Sequence, residues 1–456
     1  MLCPGRFQTG FALLRRIEPI VVMEQLGSTL FETALQMVVR DRCANATYPD
    51  VSRDDSQQKA ITNFYMNYNL ITKLTPIIPA LLLARLSDRG WRRAPVVAPL
   101  TGYLLSRLFL LLVVLLRLPL EVMFGATAVY GLSGGFSAYW AGVMTLASLD
   151  STPTDRSKVM MSSRYTEKLQ VMMIVELLYG IAGLVGSLVS GHLFQLYTPN
   201  LAQGTILLIV STVLHLLCLI QSIVLLQVKQ VHKREPDESS HLLSRASSSS
   251  LAVEAPAAVN VVNVVLLFAA AILYDFAVGG AAEILTAFVL KAPLSWSATQ
   301  VGYGNAAGFG IFLTSFLGVI LFRRWASDAT LILIGMMSFA VGIYWMSFAT
   351  ATWIFYLARS LTLFALIPMP TIRSLLSQQV PLSLYGTILT CLQVALIFAG
   401  LAYIPAFTKI YQGTLDWFPG FVFTLSSAFS VLAMIPISIT GCRSAQRRQY
   451  ERIQGD

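Results

Sequence analysis

From Val228 to Pro256 the chain reads VKQVHKREPDESSHLLSRASSSSLAVEAP, a long polar interruption in a sequence that is otherwise mostly apolar. Its charges, its serine run and the prolines Pro236 and Pro256 leave it no apolar period. Such a stretch cannot bury enough apolar surface to offset the entropy of ordering, so a flexible linker is predicted. On each side lie six apolar segments long enough to cross a bilayer, which takes about 20 residues as a helix. Only 12% of the 456 residues are charged, against 55% hydrophobic, where a soluble domain carries about 25% charged. An all-α polytopic membrane protein of twelve spans is therefore expected.

The N-terminal half, 17–227, holds span 1 (Ile17 to Val39), span 2 (Asn63 to Ala84), span 3 (Ala94 to Leu116), span 4 (Leu120 to Ala147), span 5 (Tyr165 to Ser190) and span 6 (Gly204 to Leu226). The linker occupies 228–258. The C-terminal half, 259–440, holds span 7 (Val259 to Leu290), span 8 (Ala298 to Phe322), span 9 (Thr330 to Phe348), span 10 (Thr352 to Leu375), span 11 (Leu384 to Phe407) and span 12 (Trp417 to Thr440). Residues 1–16 and 441–456 form tails.

The net charge of +9 sits in short loops and tails between apolar runs, the placement of topology signals, so nucleic-acid binding is not expected. Most Lys and Arg outside the spans share the side of the two tails, the 2–3 turn, the linker and the 8–9 turn, which places both termini in the cytosol. Arg6, Arg15 and Arg16 precede span 1 without a small-residue cleavage site, as in an uncleaved signal-anchor. Asn45-Ala46-Thr47 is then a glycosylation sequon in an outside loop. A monomer embedded in the bilayer is expected, at the plasma membrane or an endosomal membrane.

Charge at bilayer depth demands a partner or a water-filled cavity. On span 1, Glu18, Gln25, Glu32 and Gln36 follow spacings of seven, seven and four and share one stripe, which lines an aqueous path or forms a polar seam between helices. Lys73 in span 2 calls for an acid, with Glu24 and Glu32 as candidates. Arg107 lies in span 3, where a structural ion pair is the plain expectation. Glu176 in span 5 is flanked by Met172, Met173 and Leu177, apolar surroundings that suit a proton carrier, or else it pairs permanently with a Lys or Arg. Asp275 and Glu283 on span 7 are offset by about 80° around the helix. Span 10 carries Arg359 and Arg373, the latter just after Ile367-Pro368-Met369-Pro370, where two prolines break the helix. Arg373 is placed to hold an anionic substrate or to latch a cytosolic gate.

The five cysteines and four histidines are scattered, so no metal site, disulfide framework or cofactor is expected. No GxSxG, HExxH or P-loop occurs, and no enzyme activity is expected. No ring of charges or filter loop suggests a channel.

The 2–3 turn, Ala84-Arg85-Leu86-Ser87-Asp88-Arg89-Gly90-Trp91-Arg92-Arg93, resembles the G-x-x-x-D-x-x-G-R-[RK] signature of the major facilitator superfamily. Asp88, Arg92 and Arg93 match; Ala84 and Trp91 replace the glycines. The resemblance implies a fold of two six-helix halves and a cytosolic gate role for those three residues. Glu18-Pro19-Ile20-Val21, Pro293-Leu294-Ser295-Trp296 with Val301-Gly302-Tyr303-Gly304, and Pro370-Thr371-Ile372-Arg373 further resemble the proton-coupled folate transporter family.

That resemblance implies proton-coupled uptake of organic anions: folate-like compounds, sulfated steroids, or muropeptides and similar microbial molecules. It assigns Glu176 to proton coupling, with the proton as coupling ion, and Arg373 to the family's span-10 arginine, a substrate-binding candidate. Charge at bilayer depth makes Glu32, Arg107, Asp275, Glu283 and Arg359 further cavity candidates. Two positions depart from the family. Val278 stands where the folate transporter has a span-7 histidine, and Gly134, Gly135 and Phe136 replace its span-4 aspartate. Cys43 finds no cysteine in the 7–8 loop, so the family disulfide is also missing. The alternative is a membrane receptor or scaffold that keeps the fold without transporting.

Overall fold

The structure, a computed structural model, describes residues 16–49, 51–150, 161–195, 204–226, 261–322, 325–380 and 382–454. The linker and most of the N-terminal tail lie outside the described residues. Regular structure among the described residues is entirely helical.

Nine spans are single helices. They are α1 (Glu18–Cys43), α4 (Ala94–Leu115), α7 (Met161–Gln195), α8 (Thr205–Val224), α9 (Val261–Leu290), α10 (Ala298–Phe322), α11 (Asp328–Met346), α14 (Leu382–Thr414) and α15 (Phe421–Gln454). The other three are each split. Span 2 is α2 (Arg53–Leu74) and α3 (Ile77–Asp88), span 4 is α5 (Val122–Leu132) and α6 (Gly135–Asp150), and span 10 is α12 (Thr352–Leu361) and α13 (Pro368–Gln379). Helix α15 continues through most of the stretch expected to be a C-terminal tail.

Each break has a local cause. Pro76 interrupts span 2 by lacking an amide donor. In span 4, Gly134 and Gly135 turn through φ +108° and +58°, conformations that an L side chain resists. In span 10 the prolines start a new helix at Pro368, and the unwound carbonyls find other donors. Ser338 Oγ donates to Leu361 O (2.6 Å), Thr314 and Ser315 hydroxyls donate to Leu363 O (2.8 and 2.9 Å), and Tyr274 OH donates to Ala365 O (2.6 Å). Neighbouring spans thereby satisfy backbone that lipid could not. Spans 4 and 10 hold corresponding positions in the two halves, the usual setting of a transporter's substrate site.

Nine helices among the described residues are long and apolar enough to cross a membrane on their own. Span 2 counts among them as one run, Arg53–Ser87, across its short break at Pro76; spans 1, 4 and 10 are the exceptions, span 1 being rich in polar side chains and the other two broken.

In the N-terminal half α1 packs on α7 and α8, and α4 on α5, α6 and α8; in the C-terminal half α9 packs on α14 and α15, and α11 on α12 and α15. The halves meet through α7 with α10, and through α2 with α14 and α9. A Cβ on Gly191 would lie 2.4 Å from Thr299 Cα, and one on Gly302 2.6 Å from Ser187 O, so only glycine permits the α7–α10 approach.

The face carrying the 2–3 turn and the ends of the linker is called here the terminal face; the opposite one is the distal face. One apolar cluster runs through both halves and takes in the distal part of span 1 from Leu30 to Cys43. Residues at the terminal end of the N-terminal half, from Ile17 to Val21 and Val96 to Tyr103, form a separate cluster. The halves are thus joined distally.

Candidate substrate site and gate

Helix α2 supplies the seam between the halves. Asp55, Lys59, Asn63, Asn69 and Lys73 recur near helical spacing and turn one polar face toward α9 and α14. Asp55 Oδ1 receives Lys291 Nζ at 2.6 Å. Gln412 Nε2 donates to Thr62 Oγ1 (2.8 Å) and Asn63 Oδ1 (2.9 Å), and Asn69 Nδ2 donates to Glu283. Arg40 Nη1 adds a 2.6 Å bond to Trp296 O, and Gln36 Nε2 reaches Thr286 Oγ1 at 3.4 Å. On the α7–α10 side, His192 Nε2 lies 2.9 Å from Tyr303 OH. These ties draw on the distal parts of the spans and on the 7–8 loop.

Lys73 does not pair with span 1. It lies within electrostatic reach of Asp275 and Glu283, across the seam, with its aliphatic stem against Gly400. The reason is the direction of α2, whose polar face turns to the other half. Glu24 has its own partners: it accepts from Ser28 Oγ (2.7 Å), and Ser28 Oγ accepts from Arg107 Nη2 (2.9 Å). The Arg107 guanidinium lies over the rings of Phe31 (4.3 Å) and Tyr103 (4.5 Å). Glu24 and Arg107 are 1% and 4% exposed. Arg107 therefore sits inside the N-terminal half and has no open path to a ligand.

The polar stripe on α1 divides. Gln25 is buried, Glu32 is exposed and Gln36 joins the seam. Since most of α1 is buried, the exposure of Glu32 marks a gap between the halves at membrane depth.

Arg373 stands midway along α13, five residues after the Pro368 that starts it, and is exposed. Its Nη2 reaches Gln393 Oε1 of α14 at 3.4 Å. The structure brings it within electrostatic reach of Glu176 on α7 and Asp275 on α9. One cation and two carboxylates from both halves thus converge. Arg359 is half-buried on α12, with its guanidinium 5.4 Å from the Phe355 ring and Nε unbonded.

An aromatic shelf escaped the sequence reading. Phe136 and Trp140 of α6 stack at 5.7 Å, Trp140 meets Tyr179 at 5.0 Å, and Tyr179 meets Phe309 and Phe312 of α10 at 6.4 Å each. Tyr179 lies three residues after Glu176, so a ring-bearing ligand near Arg373 has an apolar surface beside it. The signal was the spacing of Phe136 and Trp140 after a Gly-Gly break.

Asp88 ends α3, and Arg92 and Arg93 follow it. Arg93 Nη1 donates to Ile223 O at 3.3 Å, near the C-terminus of α8 in the same half. Asn45 is exposed on the distal face, and Cys43 is a free, buried thiol. Among the described residues no cluster fits a metal ion.

No family model matches the chain. It is 39% identical to "Solute carrier family 46 member 2" of Canis lupus familiaris over 470 residues, covering 95% of this chain and 94% of the dog protein. The chain belongs to the solute carrier 46 family. This is the branch of the thymic stromal cotransporter, within the major facilitator superfamily. The "Lysosomal proton-coupled steroid conjugate and bile acid symporter SLC46A3" of Gallus gallus is 27% identical to this solute carrier, covering 93% of this chain and 92% of that one. Among solved structures, the transporter PepTSo superposes with a TM-score of 0.62 at 12% identity, covering 95% of this chain and 98% of that one. The solute carrier is a multi-pass membrane transporter with the major facilitator fold, and it is not an enzyme.

Proposed function

We propose that this solute carrier is a proton-coupled symporter that moves organic anions into the cytosol by alternating access, with the proton as coupling ion and no cofactor. The observation that carries it is that Arg373 lies within electrostatic reach of both Glu176 and Asp275, carboxylates from the two halves. Arg373 attracts the anionic group of the substrate, and the shelf of Phe136, Trp140 and Tyr179 takes its ring system. Glu176 takes up a proton outside and releases it inside. Coupling follows because its protonation changes the balance between the two facing states. The substrates for which the SLC46A3 relative is named, steroid conjugates and bile acids, combine an anionic group with rings.

The terminal face is assigned to the cytosol, since Arg85, Arg89, Arg92 and Arg93 lie there. The distal face, with exposed Asn45 available for glycosylation, is then outside. The halves are closed outside and open inside, an inward-facing state. The plasma membrane is the proposed location.

The test is uptake of a labelled folate analogue, a sulfated steroid and a muropeptide by expressing cells at pH 5.5 and 7.4, with Arg373→Ala as control. Uptake of any member that rises in acid and is lost in the variant supports the proposal. Absence of uptake, with surface expression confirmed, favours a receptor or scaffold.

A further inference from the structure

We infer that Asp275 and Glu283, clasped from α2 by Lys73 and Asn69, form a second proton-binding site, separate from Glu176, that controls opening of the distal gate. The inference rests on the symport reading above and adds a regulated step to it.

The two carboxylates lie eight residues apart on α9, with Gly279 between them. Asn69 donates to Glu283, and Lys73 is within electrostatic reach of both acids. From α14, Tyr403 packs over Gly279, where a Cβ would meet its hydroxyl at 2.4 Å, and it interacts with both acids. From α13, Arg373 reaches Asp275. From α15, the nearby Ser426 is committed to Ala277 O at 2.5 Å. From α1, Gln36 bonds Thr286, one turn beyond Glu283. The counter-charge opposite Glu283 thus comes from the other half.

That arrangement has a mechanical consequence. The distal gate opens only when α2 separates from α9 and α14. Separation takes Lys73 and Asn69 away and leaves two carboxylates at membrane depth without their counter-charge and hydrogen-bond donor, which is costly in the charged form. Taking up a proton from the acidic outside removes that cost, so acid favours the outward-open state. On closure Lys73 and Asn69 return to the two acids, which favours release of the proton through the gap beside Asp275. Val278 lies between the two acids along α9, and these acids supply a titratable group on that span.

The test reads conformation, with no substrate present. Thr286→Cys is introduced into the full chain, and whole cells are labelled from outside with a membrane-impermeant thiol reagent at pH 5.5 and 7.4. Rates are divided by those of Thr350→Cys, an exposed position on the same face, which removes the pH dependence of the thiol. The normalised rate should rise in acid, by up to about tenfold per pH unit for one proton taken up. In the background of Glu283→Gln, or of Asp275→Asn with Glu283→Gln, labelling should be fast at both pH values. A rate that ignores pH in the parent, or keeps its pH dependence in the double variant, overturns the inference. Asp275→Asn alone serves if the double variant fails to reach the surface, and should show a reduced pH response; an unchanged response counts against the site. Acid-stimulated uptake alongside pH-blind labelling would remove only the gate site. Acid-stimulated labelling without uptake of any anion would remove only the transport reading.

Discussion

Lys291 in the 7–8 loop places its Nζ 2.6 Å from Oδ1 of Asp55 at the start of α2, joining the two halves at the distal face. Both side chains are largely buried, at 12% and 14% exposure, so this pair is better shielded than a surface ion pair. Asp55 is also held by Ser52 Oγ at 2.7 Å. On the alternating-access reading, opening the distal gate requires this bond to break.

Lys291→Ala and Asp55→Asn are therefore expected to shift the protein toward the outward-open state. A charge-assisted hydrogen bond of about 1.5 kcal/mol corresponds to roughly a tenfold shift in that balance. Labelling of a cysteine at Thr286 should speed up accordingly in each single variant. Exchanging the two residues, Asp55→Lys with Lys291→Asp, should restore much of the parent rate.

Arg107 is expected to matter for stability rather than for substrate affinity. Removing it strands Glu24 in the core of the N-terminal half, a loss of about 3–5 kcal/mol for a broken buried pair. Arg107→Met should lower the thermal midpoint of the detergent-purified protein sharply. Glu24→Gln keeps an acceptor for Ser28 but leaves Arg107 without the carboxylate, so it should also lower the midpoint, by less because the Phe31 and Tyr103 rings still hold the guanidinium. Equal thermal midpoints for Arg107→Met and the parent would show that the network carries little load.

The unwound segment of span 10 depends on hydroxyls from spans 8 and 9. Ser338→Ala removes a donor to Leu361 O and an acceptor for Phe364 N. Ser315→Ala removes one of two donors to Leu363 O, which keeps Thr314, and the acceptor for Leu366 N. Each is expected to cost about 1–3 kcal/mol, since buried backbone groups lose their partners. Thermal unfolding of each variant beside a Ser438→Ala control measures it.

Much of this was legible because lipid permits few architectures. Apolar length gave the spans, and Pro368-Met369-Pro370 marked the break in span 10, whereas the breaks at Pro76 and at Gly134-Gly135 fall inside segments read as continuous. Partner choice was less accessible. Lys73 has acids within reach on two helices, and only the direction in which α2 turns its polar face decides between Glu24 and Glu283. Likewise, the Glu24 and Arg107 network needs Ser28 as an intermediary, a residue with no charge to announce it. The aromatic shelf draws on three spans far apart in sequence, and apolar rings in membrane helices look alike until packing groups them. Glu176 stood out by its apolar flanks and Arg373 by the proline break, and the family resemblance gave them roles; their proximity to Asp275 came from the fold.

The central claim is proton coupling through Glu176 in a site that Arg373 completes, and the pH dependence of uptake tests it most directly. Initial uptake of a labelled sulfated steroid should be measured from pH 5 to 8 in the parent and in Glu176→Gln, at matched surface expression. The account predicts uptake that rises steadily toward acid in the parent and a nearly flat profile in the variant. A variant that transports with the parent's pH profile would contradict it.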